Sequence, residues 1–355
     1  MDSPSREPGL LDELARDVAA TLERYGASVE LVEREPGLHV HAVAQGAGRS
    51  RVALLCHHDT VFPSGTAAVR PFGHDGARAQ GPGVADMKGG LALAAHVARH
   101  VATRPARFGR VEVISVPDEE IRSGPFGTIE RVANFDAVLC LECGREDGSL
   151  VLARKGGAWL EVEAIGRAAH AGTEPERGRN PVLALAHEAI RVAALHDGAP
   201  GLSVQVTSLR GGRAANAIPE HARMQVDIRA SHAADLERTL AEVSAWGRHD
   251  GIAISERNLH HVPPLEPTPA SERLAHAASA LGAALGHPIG HASTGGVSDV
   301  CWVAWSGVPC LDGLGPVGGA DHSPDEYVEV GSFAPRAGVV AGLLAEVEAR
   351  AATAS

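Results

Sequence analysis

Aromatic residues are scarce in this chain: two Tyr, four Trp and six Phe, 3% of 355 residues. Hydrophobic residues make up 44%, so a large core is affordable, but it has to be built from Val, Leu, Ile and Ala. Positive charge is also in short supply. Thirty-two Lys and Arg face 44 Asp and Glu, a formal net charge of −12, which argues against a nucleic-acid partner or an anionic membrane surface. No stretch approaches ~18 uninterrupted apolar residues, so no membrane span is expected. The opening "MDSPSREPGLLDELARDVAA" lacks the basic patch followed by an apolar run that marks a signal peptide, and a cytoplasmic location is the expectation. Cysteines number five. Cys140 and Cys143 form a C-x-x-C with no second pair, which speaks against a structural zinc site; reduced thiols buried at a strand end are the simpler reading. Histidine, by contrast, is abundant: 19 residues that ask for a chemical explanation.

The length suggests two domains. In the first third, "GLLDELARDVAATLERYG" carries Leu11, Leu14, Val18 and Leu22 at helical spacing, "LHVHAVAQ" alternates like a strand, and "RVALLC", "VEVISV" and "FDAVLCLE" are short apolar runs of the kind found in buried parallel strands. "GGLALAAHVARHVA" reads as a helix between two of them. This is an α/β pattern with a mostly parallel sheet. After "RKGG" the pattern changes. "AWLEVEAIG", "NPVLALAHEAIRVAALH", "LSVQVTSLRGG", "EHARMQVDIRA", "AADLERTLAEVSAWGRH" and "IAISERN" form the order βαββαβ, that of a ferredoxin-like sandwich. The Pro-rich "HHVPPLEPTPAS" reads as a linker, and further α/β sequence comes after it. The expected organisation is a catalytic domain over residues 1–156 and 265–355, interrupted by an inserted domain over 157–264.

In parallel sheets, ligands bind beyond the carboxyl ends of the strands. "RVALLC" is followed by His57, His58 and Asp59, "VEVISV" by Asp118, Glu119 and Glu120, and "FDAVLCL" by Glu142. Asp86 lies in "GPGVADMKGG", and His322 in "GGADHSPDEY" after "VPCLDGLGP". Taken singly, a His-x-Asp or a Glu-Glu pair is ordinary surface chemistry. Here every strand end delivers a carboxylate or an imidazole to one rim, and clustered carboxylates repel unless a cation neutralises them. Two imidazoles and several carboxylates, with no thiolate needed, suit two zinc ions about 3.5–4 Å apart. One carboxylate must bridge such ions and another must take the proton of the attacking water. "GPG" is no dinucleotide loop, since it lacks G-x-G-x-x-G and Asp86 would repel a phosphate.

The motifs "CHHDTV", "GPGVADMKGG", "PDEE", "LECG", "AAHAGTEPERGRNP", "GGRAANAIP" and "ADHSPDEY" occur in the order seen in the aminoacylase, acetylornithine deacetylase and glutamate carboxypeptidase family of di-zinc metallopeptidases. The chain resembles that family over nearly its whole length, and "DMKGG" and "HAG" are most similar to the glutamate carboxypeptidase branch. The resemblance implies that His57, Asp86, Glu120, Glu142 and His322 are metal ligands, with Asp86 bridging and the Asp86–Met87 peptide cis. His58 would then be the variable middle residue, turned away from the metals. Asp59 would orient the His57 ring and Glu119 would be the general base. The same resemblance makes the inserted domain a lid and dimerisation domain. It assigns His170 to the oxyanion across a homodimer, Asn216 and Arg229 to the substrate carboxylate, and Gly295 and Gly296 to a wall beside the leaving group. It implies two Zn²⁺ per chain, with Co²⁺ or Mn²⁺ compatible with the same donors.

The implied activity is hydrolysis of an amide bond next to a free carboxylate by a metal-activated water, releasing an amino acid, on a small peptide or N-acyl amino acid. The family's acidic-substrate carboxypeptidases carry an arginine just before the linker prolines. Here "ERNLHHVPP" places Val262 there, with His260 and His261 nearby and Arg257 further back. Deacylation of an N-acyl amino acid, as in acetylornithine deacetylase or succinyl-diaminopimelate desuccinylase, or a biosynthetic amidase activity, is therefore the alternative. A metal-binding protein without turnover would predict a broken catalytic set, and this set is complete.

Overall fold

The computed structural model describes residues 1–121, 129–196 and 200–353. The chain divides into two compact units: Met1–Ala153 with Pro267–Ser293 and Ser298–Ser355, and Arg154–Glu266 with Thr294–Val297. Four residues of the Gly-rich loop, Thr294–Val297, join the inserted unit.

The first unit is built on a six-stranded sheet in the order Ser28–Arg34, Gly37–Gln45, Arg110–Val116, Arg51–His57, Ala137–Cys140, Cys310–Leu311. The first two pairings are antiparallel and the other three parallel. The last four strands in that order therefore run the same way and end on one edge. Their residues are nearly all buried, which is why they read as continuous apolar runs rather than alternating ones. The strand Ser28–Arg34, "SVELVER", escapes a hydrophobic-run reading because it is the exposed edge of the sheet. Pro8–Arg24, Gly89–Thr103, Pro269–Ala284 and Phe333–Thr353 are the long helices of this unit. Its main core cluster is mostly Val, Leu and Ala, joined by Cys56, Met87 and Phe108, as the composition requires. The stretch Val330–Thr353 is long and apolar enough to cross a membrane, yet its Val339, Val340, Leu343, Leu344 and Val347 are buried in this core.

Gly90, at the start of the helix Gly89–Thr103, allows a close approach that positions the site. A Cβ there would sit 2.0 Å from the carbonyl oxygen of Leu141, so only glycine lets this helix end meet the end of the strand Ala137–Cys140.

The second unit has a four-stranded antiparallel sheet, ordered Leu202–Gly211, His221–Ala230, Gly156–Ile165, Ala253–Val262. Two helices, Pro181–Ala193 and Ala233–Val243, pack on it around Leu160, Leu185, Val226 and Leu236. In chain order this is βαββαβ. The expected linker begins too early: His260, His261 and Val262 belong to the last strand, paired with Trp159, Ala158 and Gly157, and the prolines end it because they cannot continue the ladder.

One buried group gives the fold an acid sensitivity. His39 is 3% exposed, stacks on His41 with ring centroids 6.4 Å apart, and its Nδ1 finds no hydrogen-bond partner among the described residues. Burial, with His41 and Arg34 adding to it, pushes its pKa down to about 4. The unfolded chain then binds the proton near pH 6.5 while the folded chain refuses it, so stability is lost as pH falls from about 6.5 toward 4. Between pH 7 and 5 this group costs about 2 kcal/mol. In urea unfolding, His39→Leu is expected to show a smaller loss between those two pH values than the wild-type chain; an unchanged loss would contradict the assignment.

Candidate metal centre

His57 is the last residue of its strand, and its backbone N–H points to Met87 Sδ at 3.2 Å. Its ring is pinned from one side: Nδ1 lies 3.1 Å from the Asp59 carbonyl oxygen and 3.2 Å from Asp59 Oδ1. The other nitrogen, Nε2, is thereby free to face Asp86 Oδ1 at 2.9 Å and Glu142 Oε1 at 3.6 Å. His58 turns elsewhere. Its Nδ1 meets Ser115 Oγ at 2.9 Å, and burial holds its pKa down to about 3, so it is a neutral core histidine.

Asp59 is wholly buried and does more than hold His57. Its two oxygens accept the backbone N–H groups of Glu119 (3.2 Å) and Glu120 (3.1 Å). One carboxylate thus locks the ends of two parallel strands together. Burial alone would raise the Asp59 carboxyl, but its contacts to His57 hold it below the usual range.

Asp86 sits at the centre. Its second oxygen, Oδ2, lies 3.0 Å from His322 Nε2, which is also 3.2 Å from Glu120 Oε2. Two donor groups result, His57–Asp86–Glu142 and Asp86–Glu120–His322. In each, one atom per residue lies within 4.8 Å of the others, and the two groups share Asp86. The Asp86–Met87 peptide is cis. Ala320 and His322 both hold left-handed backbone angles, φ 58° and 61°, a conformation that non-glycine residues adopt at a cost and that clusters at functional sites.

The electrostatics match a site made for cations. Burial, with Asp86 and Glu119 adding repulsion, drives the Glu142 carboxyl well above the usual carboxylate range. Hydrogen bonds to Asp86 and Glu120 raise His322 to about 10. Burial would lower the His57 ring, but its contacts with Asp59 and Asp86 raise it well above the ordinary value. The donors are nitrogen and oxygen only, and Glu120 Oε1 is buried without a hydrogen-bond partner among the described residues. A buried carboxylate oxygen with no partner is costly unless something charged meets it, so the residues fit a divalent metal pair with Asp86 between.

The C-x-x-C stands apart from this set. Cys140 is buried at its strand end, and the Cys143 thiol contacts the Gly144 carbonyl at 3.3 Å. Burial raises both the Cys143 and the Cys56 thiol far above the ordinary range, and neither belongs to the two donor groups.

The remaining sequence candidates belong to the second unit. His170 and Asn216 are neighbours: Ala169–His170 pairs with Ala217–Ile218, His170 opposite Ala217, and Ala171 N–H donates to the Asn216 carbonyl at 2.9 Å. His170 is exposed, and its Nδ1 accepts the backbone N–H groups of Gly172 (3.2 Å) and Thr173 (3.1 Å). Arg229 is more engaged than a solvated charge would be. Its Nε and Nη2 donate to Asp227 at 2.9 and 3.1 Å, and its guanidinium lies 4.3 Å from the Trp159 ring centroid. Gly295 has open space where a Cβ would be, and Gly296 has only Arg154 Nη1 at 3.7 Å, so no packing within the chain demands glycine at either. A further residue escapes motif reading: Glu326, 1% exposed, accepts the backbone N–H groups of Gly83, Ala85 and Asp86.

A family model described as peptidase family M20/M25/M40 matches residues 53–346. Among curated proteins, carboxypeptidase G2 of Pseudomonas sp. (strain RS-16) is 30% identical over 316 residues, covering 86% of this chain and 76% of its own length. Succinyl-diaminopimelate desuccinylase of Xanthomonas oryzae pv. oryzae is 31% identical over 312 residues, with 80% of each covered. Among solved structures, an aminopeptidase of Bacillus cereus matches with a TM-score of 0.78 at 20% identity, over 98% of this chain and 94% of that one. A metallo-carboxypeptidase of Sulfolobus solfataricus matches with a TM-score of 0.75 at 16% identity, over 98% and 97%; at such identities the structures establish the shared fold. The chain belongs to peptidase family M20/M25/M40, and is a metal-using hydrolase of amide bonds.

Proposed function

We propose that the protein is a di-zinc hydrolase that cleaves an amide bond adjacent to a free carboxylate and releases an amino acid, working as a homodimer through its inserted domain. The observation that carries this reading is Asp86, whose two oxygens face two histidines in two donor groups, beside the Glu119-Glu120 pair held by Asp59. A bound zinc pair would act as Lewis acid toward the scissile carbonyl and lower the pKa of the attacking water.

Glu119, 6% exposed, takes the proton from that water as its oxygen bonds to the acyl carbon. It then gives the proton to the amine nitrogen as the carbon–nitrogen bond breaks, so one carboxylate serves first as base and then as acid. His170 supplies the oxyanion donor. Two backbone N–H groups point at its Nδ1, so the neutral ring carries its proton on Nε2 and that N–H is available to a developing negative charge. Arg229, flattened on Trp159 and held by Asp227, keeps its Nη1 hydrogens for the substrate carboxylate. The helix Pro181–Ala193 exposes Leu183 (58%) and Ile190 (72%), seven residues apart on one helix face, which suits a subunit contact.

A second reading shares this machinery: deacylation of an N-acyl amino acid, as the name of the desuccinylase relative suggests. The nearest arginine to the linker prolines, Arg257, is paired with Glu161 at 2.9 Å, which favours no dedicated contact to an acidic side chain there.

Hydrolysis by the zinc-loaded protein of N-acetyl, N-succinyl and N-formyl amino acids, against dipeptides ending in Glu, Ala, Arg or Leu, separates the two readings. With the substrate so found, Glu119→Gln is expected to lower kcat by about 10²–10⁴-fold at nearly unchanged metal content; an unchanged kcat would end the assignment of Glu119. If His170 acts across the dimer, mixing inactive His170→Ala and Glu119→Gln chains restores about a quarter of the sites, because half the dimers are mixed and each has one intact site. No recovery in verified mixed dimers would place His170 elsewhere in the mechanism.

A further inference from the structure

The turn Ala320–Glu326 carries two carboxylate-linked tasks on one short piece of chain. His322 reaches Asp86 Oδ2. Four residues later Glu326 reaches back to the loop from which Asp86 comes. Its Oε2 accepts the Gly83 N–H at 2.8 Å, and its Oε1 accepts those of Ala85 at 2.8 Å and of Asp86 itself at 3.0 Å. Three N–H groups of one loop, those of residues 83, 85 and 86, face one carboxylate and make a nest-like anion site of the kind that loops use to hold phosphate. Here the chain fills the nest with its own side chain.

The turn is stiff enough to transmit position. Ser323 Oγ donates to the Ala320 carbonyl at 2.7 Å and accepts the Asp325 N–H at 3.2 Å. Immediately after Glu326, the strand Tyr327–Glu329 pairs with both Gly318–Gly319 and Arg78–Gln80. The Asp86 loop is likewise confined: a Cβ on Gly83 would meet Thr60 Cγ2 at 2.6 Å.

A carboxylate is an expensive way to satisfy three N–H groups. Burying it costs several kcal/mol, and uncharged carbonyl oxygens would satisfy the same N–H groups. What the charge adds is a second negative group beside Asp86. We infer that Glu326 is a positioning residue for the metal centre: it fixes the backbone from which Asp86 projects, and its charge strengthens the hold of that centre on divalent cations. The inference rests on the metal-centre reading above. Glutamine at this position keeps the size of the side chain but leaves one N–H facing an amide NH₂, which cannot accept.

The test is metal affinity, measured by competition with a chromophoric chelator for Zn²⁺ and for Co²⁺, on wild type, Glu326→Gln and Glu112→Gln. Glu112 is a control, a fully buried carboxylate held by His41, Arg110 and Arg131. Its variant is expected to lower the melting temperature of the metal-free chain and leave affinity unchanged. Glu326→Gln is expected to weaken affinity about 10–100-fold, whatever its melting temperature. Affinity within twofold of wild type would overturn the inference, including the case where only the melting temperature falls. Should Glu326→Gln not fold, hydrogen exchange of residues 83–86 in the metal-free wild-type chain decides: protection without metal supports the anchor, and exchange as fast as an open loop overturns it. If the wild-type chain binds no metal in the same assay, the metal-centre reading fails instead.

Discussion

Everything at the rim of the large sheet depends on one carboxylate that serves two neighbours. Asp86 turns Oδ1 to His57 and Oδ2 to His322, and each histidine brings a further glutamate, Glu142 or Glu120. So many acidic groups in a buried space repel one another, and only positive charge makes the arrangement favourable. The parallel strands are the means of assembly. Because they end on one edge, residues distant in sequence arrive together without long loops. Asp59, bonded to the backbone of Glu119 and Glu120, ties two of those strand ends to each other. A family model matching residues 53–346 places this assembly among metallopeptidases.

Much of this is legible in the order of the amino acids. The buried strands announce themselves as apolar runs bounded by polar punctuation, and the chemistry sits directly after each run, as His57 does after "RVALLC" and Glu142 after "FDAVLCL". The inserted unit is legible by its different rhythm, alternating strands with two amphipathic helices. The features that stay hidden do so for physical reasons. The strand Ser28–Arg34 is exposed along most of its length and so lacks a burial pattern. The strand Ala253–Val262 runs on through His260 and His261, polar residues that read as linker, because its partner strand offers ladder positions up to Gly157. Glu326 sits in a stretch of ordinary turn residues, and nothing local reveals that three N–H groups some 240 positions away in the chain converge on it.

The second unit holds two side chains whose surroundings the sequence does not reveal. Arg229, which the family resemblance assigns to the substrate carboxylate, lies near the end of the strand His221–Ala230. In the structure it is braced by Asp227 and lies over the Trp159 ring, so its side chain has little rotamer freedom left to lose. His170 is likewise set: a ring nitrogen occupied by two backbone donors fixes which nitrogen carries the proton.

The sharing of Asp86 is the claim on which the account stands or falls. It is tested most directly by metal analysis of wild type and Asp86→Ala, purified and dialysed side by side against the same zinc buffer, with folding checked by circular dichroism. About two ions per wild-type chain are expected, and a folded Asp86→Ala chain that retains neither, since one substitution removes a donor from both groups. A folded variant that keeps its full complement, or that loses one ion and holds the other as tightly as wild type does, would contradict the shared centre.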